Sequence, residues 1–354
     1  MLEFNLNFFI IFSLISILFV FFITKYSKLF FSGSLLDRDF LKPQAFHTEP
    51  IARIGGIAIL FLFALFILFY FLTFEIFLKD YFIISLSLFF LGFLDDIKVN
   101  INPNIRLGLM LTLLVFSINI FSIEINESGL GFLDAWLENS IFRTCFVLLC
   151  FLFVINGANL IDGFNGLLSI QFLIINSIFL FINLSNQNEN ISIILIAQII
   201  IVLSFLLFNF PRAKIFLGDS GSYLLGFLIA INAIKTYELN LGFSPFFYSS
   251  VLFYLFFEVF FSFIRKSLKK KSPLKPDKSH LHMLLYQFLR SSGKESSANY
   301  LTSFIINLSY FILIIPLIYF SENWVFSKYY FFSLIFVYSL VYYSLYNLKK
   351  NENI

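Results

Sequence analysis

The sequence predicts an all-α fold, a polytopic membrane helix bundle of about eleven transmembrane helices, from three observations. Hydrophobic residues make up 59% of the 354 residues, charged residues make up only 13%, and phenylalanine alone occurs 55 times. The apolar residues form blocks long enough to cross about 30 Å of hydrocarbon as helices of about 17 to 25 residues. The blocks lack the alternating pattern of a membrane β-barrel. We therefore expect a single integral membrane domain over residues 1–354.

Eleven blocks have the length and composition of a spanning helix. They lie at residues 8–24, 54–74, 79–94, 107–122, 141–155, 167–183, 191–208, 221–236, 245–264, 301–320 and 329–346. The first block lacks a basic leader and a small-residue cleavage site, so we expect it to be a retained span rather than a signal peptide.

The basic residues predict how these spans are oriented. Of the 24 lysines and arginines, only Lys79, Arg143, Lys235 and Lys328 lie in one set of loops, and all the others lie in the opposite set. Because cytoplasmic loops retain positive charge, the amino terminus is expected outside and the carboxyl terminus inside. The expected location is the inner (plasma) membrane, with a basic cytoplasmic face that suits phosphorylated solutes rather than nucleic acid.

Four polar segments interrupt the apolar blocks, and the charge distribution places all of them on the cytoplasmic face. They are Asp95-Asp96 and residues 156–166, 216–222 and 276–282. The loops expected to form one site there are residues 25–53, 95–106, 156–166, 209–220 and 265–300.

Asp95 and Asp96 stand at the inner end of the third span. Carboxylates in that position usually face water, a metal ion or another charge, because burial in lipid is costly. A solvated pair that merely ends the helix is the alternative.

The second segment carries four polar side chains at every third position, Asn156, Asn159, Asp162 and Asn165. Neighbours at this spacing stay close around a helix, so they predict one continuous polar strip. A ladder of hydrogen bonds between membrane helices is the alternative.

The third segment, with Arg212 and Lys214 before it, combines cations and glycines with Asp219 directly before a span. Glycines let backbone N–H groups approach an anion, and Asp219 can hold Mg²⁺ against that anion. A helix-capping role for Asp219 is the alternative.

In the fourth segment, His280 and His282 favour phosphate binding or proton transfer over metal binding, because no third histidine or cysteine lies nearby.

In this order, the motifs resemble those of the polyprenyl-phosphate N-acetylhexosamine-1-phosphate transferases, glycosyltransferase family 4. The resemblance covers roughly residues 47–282. Its elements are residues 47–56 with Arg53-Ile-Gly-Gly, the Asp95-Asp96 pair, residues 156–166, residues 215–222 and His280-Leu-His282.

The resemblance implies transfer of a HexNAc-1-phosphate from a UDP-N-acetylhexosamine to undecaprenyl phosphate, with release of UMP. Such a reaction would initiate a lipid-linked cell-surface polysaccharide. The implied cofactor is Mg²⁺, with Mn²⁺ as a substitute, and the implied setting is a lipid bilayer. A homodimer is compatible with the family.

The resemblance also assigns roles to residues. Asp95, Asp96 and Asp162 are the expected catalytic residues, and Asp219 and Asp96 are the expected metal ligands. Nucleotide and sugar contacts are expected from Asn156, Asn159, Asp162, Asn165 and Phe216, with Phe216 stacked on uracil. Phosphate contacts are expected from Arg53, Arg106, Lys214, His280 and His282. Packing against lipid is the alternative for Phe216.

Two departures from the family pattern favour one branch. Asn165 replaces the second Asp of the commoner Asp-Gly-x-Asp-Gly form, and His280-Leu-His282 lacks the three consecutive histidines of phospho-MurNAc-pentapeptide transferases. We therefore expect the undecaprenyl-phosphate GlcNAc-1-phosphate transferase branch, with the phospho-MurNAc-pentapeptide branch as the alternative. Glu258 lies within an apolar span, and we place it outside the site.

Other classes fit the spacing less well. A prenyltransferase would need an acid three positions after Asp96, and a CDP-alcohol phosphotransferase would need Ala-Arg in place of Gly166-Leu167. An intramembrane anion transporter, the remaining alternative, predicts matching halves and charges near the middle of the membrane. The polar segments instead gather at one face.

Overall fold

The computed structural model describes residues 2–29, 33–38, 49–99, 101–270, 272 and 277–352. The described helices are α1 (Leu2–Lys25), α2 (Gly55–Phe74), α3 (Lys79–Asp96), α4 (Pro103–Ile120), α5 (Gly131–Leu137), α6 (Ser140–Ile161), α7 (Leu167–Ser185), α8 (Glu189–Asn209), α9 (Gly218–Leu239), α10 (Pro245–Val251), α11 (Phe253–Leu268), α12 (Leu281–Ser291), α13 (Ala298–Tyr319) and α14 (Trp324–Glu352). The described strands are β1 (Leu36–Asp37), β2 (Ile51–Arg53) and β3 (Ile215–Phe216). His47, where the resemblance begins, lies outside the described residues.

The three strands form a small sheet that the all-α prediction does not include. Their order is β1-β2-β3, with β1 antiparallel to β2 and β2 parallel to β3. Strands of two or three residues are too short to show a period-two pattern, so the sequence gives no signal for them. The sheet places Arg53 directly opposite Phe216 and so joins the start of α2 to the start of α9.

The prediction of a multi-pass helical membrane protein is confirmed, and every predicted span overlaps a helix. Within the described residues, eight helices are long and apolar enough to cross a membrane, namely α1, α2, α4, α6, α7, α8, α13 and α14. The pair α10 and α11, bent by 77°, supplies a ninth candidate. α3 and α9 are long enough but more polar. The count of eleven and the orientation of the termini stay predictions.

α9 can be polar because other helices surround it. It packs against α2, α3, α6 and α7, and almost all of its residues are buried. Its Asn232 accepts a hydrogen bond from the Tyr81 hydroxyl at 2.8 Å and donates to Gln198 at 2.6 Å and Asn176 at 3.0 Å. Hydrogen bonds of this kind link membrane helices without exposing polar groups to lipid.

The end of α3 and the start of α9 approach closely at Gly92. A Cβ atom added there would lie 2.5 Å from the carbonyl oxygen of Asp219, a distance that no ordinary side chain tolerates. Glycine therefore permits the contact that brings Asp95, Asp96 and Asp219 together.

Two of the predicted loops, residues 156–166 and 265–300, contain long helical stretches. α6 continues to Ile161, so Asn156 and Asn159 lie on a helix, and only residues 162–166 connect α6 to α7. The predicted loop 265–300 contains the end of α11 and all of α12. Polar residues and Gly157 made the end of α6 resemble a loop, whereas the polar side chains there line a cavity.

Candidate active site

A cavity of about 1440 Å³ lies where β2, β3, the end of α6 and the start of α9 meet. Three of the four predicted polar segments contribute to its wall, namely residues 156–166, 216–222 and 276–282. α4 and α11 supply the remaining sides through residues such as Arg106 and Lys266. Segments that are far apart in the chain, such as those of Asn156 and His280, thus share one polar space within a bundle of apolar helices.

All four side chains of the predicted polar strip, Asn156, Asn159, Asp162 and Asn165, line this cavity. Asn156 donates to the carbonyl of Leu152 on its own helix at 2.8 Å. Beyond the helix end, the amide of Asn165 donates to the carbonyl of Pro211 at 3.0 Å, so Asn165 also ties the α6–α7 connection to the chain before β3.

Asp162 is half-buried at the carboxyl end of α6, and its side chain makes no hydrogen bond to another described residue. Burial raises the pKa of its carboxyl group well above the usual range, and the negative charge of Asp219 acts in the same direction. A carboxyl group on a cavity wall with a raised pKa is suited to accept a proton or bind a cation.

Asp219 occupies the first turn of α9 and is the most open of the clustered acids, with 31% of its side chain exposed. Its Oδ1 accepts a hydrogen bond from Asn159 at 3.2 Å, and its Oδ2 lies 3.8 Å from the Arg106 guanidinium. Asn159 also donates to the Ser222 hydroxyl at 2.9 Å. The Asp219 carboxylate is therefore held in place and still faces the cavity.

Asp96 does not lie on the cavity wall, where a metal ligand would have to lie. Its side chain is fully buried. Its two oxygens accept hydrogen bonds from the backbone N–H of Asp219 at 2.9 Å and from the N–H and hydroxyl of Ser220 at 3.0 and 2.6 Å. Asp96 thus satisfies N–H groups that the first turn of α9 leaves without helical partners. This geometry does not support the prediction that Asp96 binds metal.

Asp95 also lies behind the cavity wall, and it pairs with Arg106 on α4. Arg106 lines the cavity and lies between Asp95 and Asp219. Asp95 therefore fixes a cation at the cavity and does not itself face the cavity.

Arg53 and Phe216 lie side by side on β2 and β3, and both line the cavity. Arg53 donates two hydrogen bonds to Asp37, at 2.7 and 3.1 Å, and its guanidinium lies 3.8 Å from Asp96. The role of Asp37 was missed in the sequence, because its pairing with Arg53 depends on the small sheet.

Of the two cations just before the third segment, Arg212 lines the cavity and Lys214, which was expected to contact phosphate, does not. Lys214 is exposed. Lys266, on α11, also lines the cavity and was not predicted. A period-3.6 reading of α11, which places Ser262 and Lys266 on one face, could have indicated it.

The two histidine rings stack on each other, with centroids 5.4 Å apart, but only His280 lines the cavity. The Nδ1 of His280 lies 3.0 Å from Oε1 of Glu258. His282 is only 1% exposed and does not line the cavity. Its Nδ1 lies 3.3 Å from the Tyr254 hydroxyl and its ring packs edge-on against Phe164. Burial lowers the pKa of His282 to about 3. In this structure His282 therefore lies behind the cavity wall, and its contact with phosphate stays a prediction.

Within the described part of the chain, no three His, Cys, Asp or Glu side chains are placed to hold a metal ion together. This does not exclude Mg²⁺, which is usually held by one or two carboxylates together with substrate phosphates and water. Asp219 has a carboxylate open to the cavity, and Asp162 is a second acid on the same wall. These two residues fit such a site, while Asp96 does not.

Comparisons with known proteins extend the match beyond the motifs. The model of glycosyl transferase family 4 matches residues 78–237. An undecaprenyl-phosphate alpha-N-acetylglucosaminyl 1-phosphate transferase of Thermotoga maritima is 31% identical over 260 residues, which cover 73% of this chain and 75% of that protein. The chain belongs to glycosyl transferase family 4. This family-4 chain is therefore a multi-pass membrane enzyme of the phospho-sugar transferase type.

Two further relatives bear on the branch. A probable undecaprenyl-phosphate N-acetylglucosaminyl 1-phosphate transferase of Bacillus subtilis is 30% identical and covers 63% of this chain and 62% of its own length. A phospho-N-acetylmuramoyl-pentapeptide-transferase of Clostridium beijerinckii is 33% identical but covers only 41% of this chain and 48% of its own length. The more extensive similarity to the first kind confirms the predicted branch.

Proposed function

We propose that this family-4 enzyme transfers a HexNAc-1-phosphate from a UDP-N-acetylhexosamine to undecaprenyl phosphate, releases UMP and so initiates a lipid-linked surface polysaccharide. The observation that carries the proposal is the shared cavity of Asp162, Asp219 and Arg106 in a chain of this family. Acids that can hold a cation and arginines that can bind phosphate are the groups that phosphoryl transfer requires.

The reaction exchanges one phosphoanhydride for another. An oxygen of undecaprenyl phosphate attacks the phosphorus that carries the sugar, and a new P–O–P bond forms. The bond between the sugar-bearing phosphorus and the bridging oxygen of the donor breaks, and this oxygen leaves with UMP and takes the electron pair. Because the bonds made and broken are alike, the enzyme has to supply positioning and charge neutralisation rather than a driving force.

The acids near the cavity are assigned different roles because they differ in how far they are exposed to it. Asp219, open to the cavity and steadied by Asn159, is the carboxylate that would hold Mg²⁺. When bound there, Mg²⁺ would neutralise charge on the diphosphate. We assign Asp162 the role of taking the proton of the attacking phosphate, since its carboxyl group lines the cavity and has a raised pKa. Asp95 acts by holding Arg106.

The remaining wall residues suit the donor and the phosphates. Phe216 offers an aromatic face for the uracil ring, next to Arg53 on the neighbouring strand. Donors for phosphate oxygens would come from four cavity-lining residues, Arg53, Arg106, Arg212 and His280. Asn156, Asn159 and Asn165 provide amides for the sugar and nucleotide.

The cavity also has an apolar side that suits the lipid carrier. Leu149 on α6 and Phe263 on α11 line it, and their side chains are 51% and 54% exposed. In a bilayer, such exposed apolar side chains face lipid. An isoprenoid chain can lie along this side while its phosphate enters the polar part of the cavity.

The proposed membrane orientation rests on the distribution of lysines and arginines between the two sets of loops. A cytoplasmic cavity in the plasma membrane, with the amino terminus outside, would give the site access to the soluble UDP-sugar. A homodimer stays a prediction.

The test is turnover by the purified protein with Mg²⁺, undecaprenyl phosphate and a panel of UDP-sugars that includes UDP-MurNAc-pentapeptide. We expect UMP release and a matching lipid product with one HexNAc donor, and loss of both after chelation of Mg²⁺ or in Asp219→Asn. Asp134→Asn, which changes an acid outside the cavity, is the matched control. Turnover only with UDP-MurNAc-pentapeptide would place the enzyme in the other branch, and folded protein inactive with every donor would refute the proposal.

A further inference from the structure

Glu258 is a buried carboxylate that lies outside the cavity wall. It lies on α11 and is 1% exposed. Oε1 accepts the backbone N–H of Leu281 at 3.1 Å and faces Nδ1 of His280 at 3.0 Å. Oε2 accepts the Tyr338 hydroxyl at 2.6 Å. Burying a carboxylate is costly unless it is fully hydrogen-bonded, and here three donors from two other helical regions converge on it.

His280 connects this carboxylate to the site. One edge of the ring, at Nδ1, faces Glu258, while the residue also lines the cavity. Glu258 is behind His280 as seen from the cavity. A carboxylate that accepts from one ring nitrogen fixes that nitrogen as the N–H and leaves the other nitrogen for chemistry.

The chain around His280 is held from several sides. Arg265 donates to the carbonyl of Ser279 and pairs with Asp277 at 2.7 Å. The Tyr342 hydroxyl, on α14, donates to the same carbonyl at 3.0 Å. α11 and α14 therefore fix both the backbone and the ring of the segment that carries His280.

We propose that Glu258 is a positioning residue, which holds His280 through Nδ1 so that Nε2 is presented to a substrate phosphate in the cavity. Tyr338 completes the arrangement by orienting the Glu258 carboxylate from α14. The identity of the phosphate rests on the proposed function, whereas the orientation of the ring does not. Glu258, His280 and Tyr338 all lie outside residues 78–237, so the carboxyl-terminal helices contribute to the site beyond the part matched by the family model.

A double-mutant cycle on turnover tests the coupling. Glu258→Met fills a similar volume without an acceptor, and we expect kcat to fall on the order of ten- to a hundredfold, the size seen when a group that orients a metal-binding histidine is removed. His280→Ala should lose as much or more, and adding Glu258→Met to it should cost no more than about twofold further. Losses that multiply in the double variant would overturn the proposal.

A conservative replacement separates orientation from charge. In Glu258→Gln the amide oxygen can take the place of Oε1, and the amide nitrogen can donate to the Tyr338 oxygen. We expect kcat within about threefold of the parent. A loss as large as in Glu258→Met would overturn the proposal, because the orientation would have been kept. Should Glu258→Met not fold, Tyr338→Phe serves in its place, with a smaller loss of kcat expected. Tyr330→Phe is its control, since that hydroxyl donates only to the carbonyl of Leu313.

The protonation of the His280 ring nitrogens, measured by NMR, tests the positioning role of Glu258 without an activity assay. The chain has three histidines, so ¹⁵N-histidine NMR in detergent can resolve each ring. We expect His280 to carry its proton on Nδ1 in the parent and in Glu258→Gln, and to lose this preference in Glu258→Met. An unchanged Nδ1 signal in Glu258→Met would refute the positioning role. If the parent binds no UDP-sugar while the NMR result holds, the proposed function fails and the positioning inference stands.

Discussion

Asp96 on α3 and Ser220 on α9 are joined by two hydrogen bonds, from the Ser220 backbone N–H at 3.0 Å and from its hydroxyl at 2.6 Å. With the N–H of Asp219, they give the buried Asp96 carboxylate three donors. The first turn of α9 carries Asp219 into the cavity, so this cap fixes where the cavity acid sits. Asp96 therefore supports the site through α9 rather than by contact with substrate.

Asp96→Asn is expected to lower the free energy of unfolding by about 1 to 3 kcal/mol, because the neutral amide offers one acceptor oxygen to three donors. Thermal unfolding in detergent, followed by circular dichroism, measures the change. Ser220→Ala removes only the hydroxyl donor and should lose less. A variant that unfolds like the parent but needs far more Mg²⁺ for activity would restore Asp96 as a metal ligand.

Gly218 has a backbone φ of +81°, and a Cβ atom there would lie 2.6 Å from Oδ2 of Asp96. Gly218→Ala should therefore destabilise the protein, by left-handed strain of about 1 kcal/mol or more together with displacement of the Asp96 cap. Gly108→Ala is the matched control, since nothing lies within 4 Å of that position on α4. Its unfolding temperature should stay the same or rise. Equal effects of the two substitutions would contradict the cap geometry.

The apolar blocks of the sequence predicted most of the helices correctly. Each apolar block became a helix, since a long apolar segment in a bilayer has few other ways to satisfy its backbone. The short β1, β2 and β3 and the amphipathic α12 were missed, because their stability depends on contacts with distant parts of the chain. Glu258 shows the same limit, as its partners His280 and Tyr338 are 22 and 80 positions away.

The sequence motifs predicted which residues lie near the candidate site, but they did not predict which of these residues face the cavity and which are buried behind it. Asp219, Asp162, Arg53, Arg106, Phe216 and His280 all line the cavity, as the motifs suggest. Asp95, Asp96 and His282 belong to the same motifs but lie behind the cavity wall, and nothing in the adjacent sequence distinguishes His282 from His280. That distinction comes from packing of α3 on α9 and of α12 on its neighbours.

Arg212 and Lys214 provide a direct comparison of two cations that are two positions apart. Arg212 lines the cavity and Lys214 is exposed outside it. Arg212→Ala should raise KM for the UDP-sugar or for undecaprenyl phosphate about tenfold, the order expected for loss of one charge-assisted phosphate contact. Lys214→Ala should change KM less than twofold. Steady-state kinetics at fixed ionic strength measures both, and a larger effect at Lys214 would show that the sequence-based assignment was right.

His282 should make the protein sensitive to acid. Its buried ring has a pKa of about 3, whereas the same side chain in the unfolded chain has its ordinary pKa of 6.5. Between these values the unfolded state binds more protons. The stability contribution of the neutral ring is therefore complete above pH 6.5 and is lost as the pH falls toward 3. At pH 5.5 the loss is about 1.4 kcal/mol.

Thermal unfolding between pH 7.5 and pH 4.5 tests this expectation against His282→Asn, which cannot titrate. The parent should lose stability with falling pH more steeply than His282→Asn, with a difference near 1.4 kcal/mol by pH 5.5. Tyr254→Phe is the control, because it removes the hydroxyl 3.3 Å from Nδ1 but keeps the buried ring, so its slope should match that of the parent. Parallel curves for the parent and His282→Asn would mean that the ring takes up a proton inside the fold, and would contradict the lowered pKa.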